Sequence, residues 1–403
     1  MGNLKSSPKI QLNSMQNAIQ EFGFDGWLLY DFRGLNVLAL RVLGISESEI
    51  GSRRFFYFIP AQGDPVKLVH RIESTALDHL LGKKIVYLTW QELHDGLKAM
   101  LGGSQQVAME YSPENANPYI SRVDAGTVEL VRRFGAEVVS SGNLIQSFEA
   151  RWTDEQWELH LQADELNRAA FDEAWRLIAD RLRSGKSIRE TEVQDFVMDY
   201  YARHGMTTYH PPIVGVNANS GDPHYSPAHG ADSEIKVGDF VLLDMWAKMD
   251  VSEGVYSDLT KVGFMGETVP EKYKTVFDIV AAARDAGIDC ARCAFAEGRE
   301  LQGWEVDRAT RQVIEDAGYG EYFIHRTGHN IGTETHGNGA HMDDLETKED
   351  RLVLPRTCFS IEPGIYLEEF GIRSEINVFI DTDAKVHVTG GIQTEVTPVL
   401  HLY

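Results

Sequence analysis

The chain has 403 residues, 43% of them hydrophobic and 25% charged, and its 61 acidic against 38 basic residues leave a formal net charge of −23. Those are globular proportions at a length that suggests two domains. So acidic a surface repels phosphate backbones and anionic bilayers, which removes nucleic acid and membrane from the expected partners. No apolar run is long enough to span a bilayer, and residues 1–16 lack the apolar core of a signal peptide. The three cysteines, Cys290, Cys293 and Cys358, are too sparse for a disulfide framework, so a reducing, cytoplasmic setting is expected.

The first part alternates short apolar runs with helical stretches. Strands are predicted at 27–30, 55–59, 66–69, 85–88, 107–109 and 137–139, with Gly63-Asp64-Pro65 turning a hairpin between the second and third. A helix is predicted over 127–134. This is an α/β domain of modest size, with a boundary near residue 145. Thr153-Asp154-Glu155-Gln156 is a capping box that opens a helix through Leu182. Gly185-Lys186-Ser187 breaks it, and Ser187-Ile188-Arg189-Glu190 caps a second helix to about Tyr201. Beyond these come predicted strands at 240–243, 358–361 and 372–379 and helices near 270–297 and 304–317. Cys290 and Cys293 read as one face of the former helix rather than a redox or zinc pair.

Several charged residues of the second part stand where simple burial would not put them. Asp244 ends the run Phe240-Val241-Leu242-Leu243, Asp258 lies within Tyr256-Ser257-Asp258-Leu259-Thr260, and Glu362 and Glu375 follow apolar stretches. His329 lies between glycines. A carboxylate in an apolar strand is costly unless paired, and four cannot satisfy one another. Two divalent cations would balance them. The oxygen-rich set with one imidazole suits manganese, cobalt, iron or zinc. Strand alternation puts Tyr256, Asp258 and Thr260 on one face, and Arg373, Glu375 and Asn377 on another shared face. Each residue alone also has an ordinary reading as a cap, turn or surface group, and neither HExxH nor zinc-finger spacing is present.

Six segments, PHY (223–225), VLLDMWAK (241–248), YSDLTK (256–261), HRTGHNIG (325–332), FSIEPGIY (359–366) and GIRSEI (371–376), together resemble the pita-bread family of prolidases, aminopeptidase P, methionine aminopeptidases and creatinase. The resemblance implies an α+β fold: a pita-bread catalytic domain over 146–403 preceded by a smaller α/β creatinase-like domain over 1–145. It implies two divalent metal ions, manganese first and zinc or cobalt as alternatives. Asp244 would hold one metal, Asp258 and Glu375 would bridge, and His329 and Glu362 would hold the second. Glu362 would also shuttle a proton, His224 and His336 would face substrate, and Arg373 would brace the site or pair with Glu375. His325 is expected to be structural, and His229 and His341 to lie on the surface.

The implied activity is cleavage of Xaa-Pro bonds in a dipeptide, with an aminopeptidase P acting on longer peptides as the alternative. A metal-free creatinase-like amidinohydrolase and an inactive binding module both predict lost ligands. A homodimer is implied through the first domain. Two departures stand out. Met245-Trp246 follows Asp244 where the family usually has an aromatic residue and glycine, and the loop over 248–254 is longer than usual.

Overall fold

A computed structural model describes residues 8–228 and 230–403, so His229 lies outside the described residues. The chain divides into two compact units, Met1–Glu149 and Ala150–Tyr403.

The first unit holds α1 (Pro8–Glu21), β1 (Gly26–Asp31), α2 (Val37–Leu43), β2 (Phe55–Pro60), β3 (Val66–His70), β4 (Lys83–Tyr87), α3 (Trp90–Leu101), β5 (Gln106–Met109), α4 (Ala125–Arg133), β6 (Glu137–Ser140) and α5 (Gly142–Glu149). Its strands form one mixed sheet in the order β4-β3-β2-β1-β5-β6. Alternation sends Trp27 and Leu29 to one face, where α1, α2 and α5 cover them, and Leu28 and Tyr30 to the other, under α3 and α4. Both faces are thus buried, which is why the strands read as continuous apolar runs.

The second unit begins with α6 (Asp154–Arg183), whose Thr153 and Gln156 make the expected reciprocal cap. The two-residue β7 (Ile188–Arg189) precedes α7 (Glu190–Arg203). Ser187 therefore lies before that helix rather than capping it, and the Glu192 carboxylate accepts the Arg189 N–H instead at 2.9 Å. Next come β8 (Met206–Thr207), β9 (Ile213–Val216), β10 (Glu234–Ile235), β11 (Phe240–Met249) and β12 (Ser257–Phe264). Two helices, α8 (Glu271–Ala296) and α9 (Gly303–Asp316), are followed by β13 (Asn330–Ile331), β14 (Cys358–Ile361), β15 (Gly364–Tyr366), β16 (Gly371–Arg373), β17 (Ile376–Ile380), β18 (Val386–Thr389) and β19 (Thr397–Pro398).

β11 is central to its sheet, antiparallel to β12 on one side and to β9 on the other. Its odd-numbered residues, Val241, Leu243, Met245 and Ala247, pack under α6 and α7. Phe240, Leu242 and Trp246 face the opposite way, into a cluster shared with α8. The strand is longer than the apolar run suggested, because Asp244 sits at its middle. An acidic residue reads as a stop signal in sequence, but Met245 and Ala247 keep the inward face apolar to Met249. The predicted strand 372–379 is in fact two strands, broken at Ser374-Glu375. There the chain leaves its partner β15 and joins β14.

Glu190, fully buried, accepts four hydrogen bonds: from Val216 N at 2.8 Å, Asn219 Nδ2 at 2.9 Å, Tyr225 OH at 2.7 Å and Ser233 N at 2.8 Å. It thereby ties down the segment that carries His224. Glu190→Ala leaves these donors without an acceptor and should cost about 3 kcal/mol of stability. A urea midpoint that does not move would refute this.

Candidate metal centre

The register of the β11–β12 ladder sets Asp244 opposite Thr260 and Trp246 opposite Asp258. Asp244, Trp246, Asp258 and Thr260 thus form a square on the face away from α6. β17 closes on this face: Asn377 Oδ1 accepts the Asp258 N–H at 3.1 Å, and Asn377 Nδ2 donates to the Asp258 carbonyl at 2.7 Å. Glu375, at the break between β16 and β17, receives the Thr260 hydroxyl at 2.7 Å.

His329 arrives from the segment before β13. Its backbone N–H donates to Ser360 Oγ at 2.9 Å, and the same hydroxyl donates to Glu362 Oε1 at 2.9 Å, so one serine joins the His329 backbone to the Glu362 carboxylate. This needs close backbone approach. A Cβ on Gly328 would stand 1.9 Å from the Ser360 carbonyl oxygen, so only glycine fits.

The five sequence-derived candidates meet here. Asp258, His329 and Glu375 each offer a ligand atom within 4.8 Å of the others. His329 Nε2 is 3.4 Å from Asp258 Oδ2 and 3.3 Å from Glu362 Oε1. Asp244 is held beside them by an ion pair between Arg373 Nη2 and its Oδ2. Arg373 therefore pairs with Asp244, not with Glu375 as its place in the strand suggested, because the chain breaks between them. Its Nε donates to Thr260 Oγ1 at 2.9 Å and its Nη1 to Tyr366 OH at 3.0 Å. That phenol donates in turn to His325 Nε2 at 2.7 Å, while His325 Nδ1 donates to the Arg326 carbonyl at 2.7 Å. His325 thus anchors the arginine rather than facing the carboxylates.

His336 stacks edge-on against His329, ring centroids 4.2 Å apart. The adjoining His329 imidazole, and then burial, hold its pKa down at about 2, so its imidazole is neutral. His224 is exposed, and its side chain makes no described contact with the carboxylates. His341, expected on the surface, is buried, with Nδ1 accepting the Asn330 N–H at 3.1 Å. Thr260, Ser360, Asn377 and Tyr366 were not singled out from the sequence as site residues. Only the shared strand faces of Thr260 with Asp258, and of Asn377 with Glu375, hinted at two of them.

The donor set fits cations. Burial raises the pKa of Asp244 to about 6 and of Asp258 to about 7, and pushes Glu362 and Glu375 up as well. One guanidinium faces these four carboxyl groups. His329 Nδ1, at 3.2 Å from the Asn330 carbonyl, carries the ring proton. Its Nε2 lone pair therefore points at carboxylate oxygens, an arrangement that a metal ion makes favourable.

Largely antiparallel sheets, covered by α6 and α7 on one face and by α8 on the other, carry this carboxylate-rich centre, the setting of a metal-dependent enzyme. The chain matches metallopeptidase family M24 over residues 158–382, more than half its length, and belongs to that family. It is 32% identical over 205 residues to the Xaa-Pro dipeptidase of Lactobacillus delbrueckii subsp. lactis, a match covering 51% of each chain. The match thus spans about half the length of that curated relative. Dipeptidase PepE from Mycobacterium ulcerans superposes with a TM-score of 0.65 at 21% identity, covering 98% of this chain and 99% of that one. The X-prolyl aminopeptidase from Caenorhabditis elegans, described as a cytosolic enzyme with a di-nuclear active site, superposes with a TM-score of 0.59 at 17% identity, covering 95% of this chain and 61% of the other. The fold is the pita-bread fold.

Metal binding must displace protons from these raised carboxyl groups, so affinity should fall as pH drops through about 7 toward 6. Titration calorimetry in buffers of differing ionisation enthalpy would show proton release near pH 6.5. Metal-free protein should show the opposite trend in stability. Its carboxyls bind protons more readily folded than unfolded, so stability rises as pH falls from about 7 toward 5. A melting temperature of metal-free protein that is flat or falls over that interval would contradict the raised values.

Proposed function

We propose that the protein is a dinuclear metallopeptidase that hydrolyses Xaa-Pro bonds, acting chiefly as an Xaa-Pro dipeptidase. The observation that carries this reading is the convergence of Asp258, His329 and Glu375 within 4.8 Å, with Glu362 at 3.3 Å from the same imidazole. Asp244 would hold one divalent ion, His329 and Glu362 the other, and Asp258 and Glu375 would bridge. Manganese is the first expectation, zinc and cobalt the alternatives. The Xaa-Pro dipeptidase activity named for the Lactobacillus relative and the di-nuclear active site of the nematode neighbour support the same assignment.

When bound, two such cations would acidify a water and polarise the scissile carbonyl. Glu362 would take the proton of the attacking water and hand it to the leaving proline nitrogen. His336, a neutral imidazole, would donate its N–H to the oxygen that gains negative charge, with His224 approaching from the exposed side. Arg373 fixes Asp244 through its ion pair and is itself fixed by Tyr366 and Thr260. A bond to proline has no N–H, so recognition through the free amine and the carbonyl suits it.

The same reading includes a homodimer and cytoplasmic residence. The free cysteines fit a reducing compartment, and no described helix is long and apolar enough to cross a membrane.

Purified protein supplied with Mn2+ should release proline from Ala-Pro, faster than it cleaves Ala-Pro-Ala, and chelation should abolish both activities. Preference for the tripeptide would assign the aminopeptidase alternative. Glu362→Gln should lower kcat by about a thousandfold; a rate near that of the wild type would remove Glu362 from proton transfer.

A further inference from the structure

The position two residues after Asp244 is commonly glycine in the resembling family, and here it is Trp246. The indole does not turn away from the chemistry. It shares a strand face with Asp244 and stands directly opposite Asp258 in the ladder. It is 8% exposed, and its Nε1–H finds no acceptor among the described residues, although the atom is buried. A buried donor left unmatched calls for a group that arrives from outside.

Two more rings extend this surface outward. His210 lies nearly parallel to the Trp246 ring with centroids 6.2 Å apart. Tyr209 sits 6.1 Å from Trp246 and 6.3 Å, edge-on, from Tyr256. Tyr209 is 67% exposed, although its ring also lies against these aromatics. Together they make a stepped aromatic wall, from Asp258 at the floor to solvent at the rim, with an indole N–H part-way up.

The wall lies at one end of the centre. Asp244 and Asp258 come from β11 and β12, whereas His329, His336 and Glu362 come from the 327–362 half. A peptide's free α-ammonium is a cation, and the β11–β12 end offers it two carboxylates, Asp244 and Asp258, where the 327–362 half offers one, Glu362. The residue that bears the amine is therefore the one set against β11 and β12, with Trp246 the next side chain along that face.

We infer that Trp246, Tyr209 and His210 form the subsite for the side chain of the substrate's amino-terminal residue, and that they select aromatic and large apolar residues ahead of proline. The inference rests on the Xaa-Pro reading given above. The ring of such a residue stacks on the wall, and the indole N–H, which has no partner among the described residues, is left to donate to an oxygen of the bound peptide.

The experiment compares kcat/KM for Phe-Pro and Gly-Pro in the wild-type enzyme, Tyr209→Ala and Trp246→Ala, each loaded with the same metal. The wild type should favour Phe-Pro by at least tenfold. That ratio should fall about threefold in Tyr209→Ala and about tenfold in Trp246→Ala, mainly through KM. Tyr209 is exposed, so its variant decides the matter if Trp246→Ala fails to fold. A wild-type ratio near one, or a ratio unchanged in Tyr209→Ala, overturns the inference. Equal losses on both dipeptides overturn it too, since the wall would then hold the proline ring. Wild-type turnover of neither dipeptide, despite bound metal, instead overturns the assigned reaction and takes this inference with it.

Discussion

Four carboxyl groups crowd into one buried place with a single guanidinium among them, and the second unit is organised around that imbalance. In water such a cluster would ionise freely. In a protein interior each group is pushed toward its protonated form, and the histidine beside them toward its neutral form. The folded chain thus holds a strong demand for positive charge, offset in part by Arg373 and in full by divalent cations. Neutral residues do the aligning: Thr260, Ser360 and Asn377 each join two strands or two ligands without adding charge.

Those alignments explain why the ligands come from distant parts of the chain. Antiparallel β11 and β12 deliver two carboxylates on one face, while β14 and the break before β17 deliver two more from the opposite direction. Helices α6 and α7 bury the odd face of β11, and α8 lies against the cluster on the even face. The strands are gripped on both sides, which limits the freedom of the side chains between them. Such fixed placement is what a metal site requires.

Much of this arrangement is legible in the sequence, for physical reasons that differ from residue to residue. Asp244 and Asp258 stand out because charge inside apolar strands has a cost that must be met. Glu375 was placed on a strand face shared with Arg373, yet the chain breaks between them and the arginine reaches Asp244 instead. A break without glycine or proline leaves no local signal. Nor do Thr260, Ser360 and Tyr366 announce themselves, since a hydroxyl suits both a surface and a buried network. His341 went unread as a core residue for a related reason: its burial depends on a backbone N–H that only the fold brings to it.

The last two residues of β11 have an effect that reaches past the centre. After Ala247 the strand parts from β12, and Lys248 and Met249 pair with β8 instead. The turn between the two strands is closed at Gly254, where a Cβ would meet the Met249 carbonyl oxygen at 2.2 Å. The hairpin's tip is therefore clamped independently of its shaft. Residues could be gained or lost at the tip without rotating Asp244 or Asp258, whereas a single insertion in the shaft would turn the aspartate of that strand outward toward α6. The loop is thus a place where the chain can vary while Asp244 and Asp258 stay put.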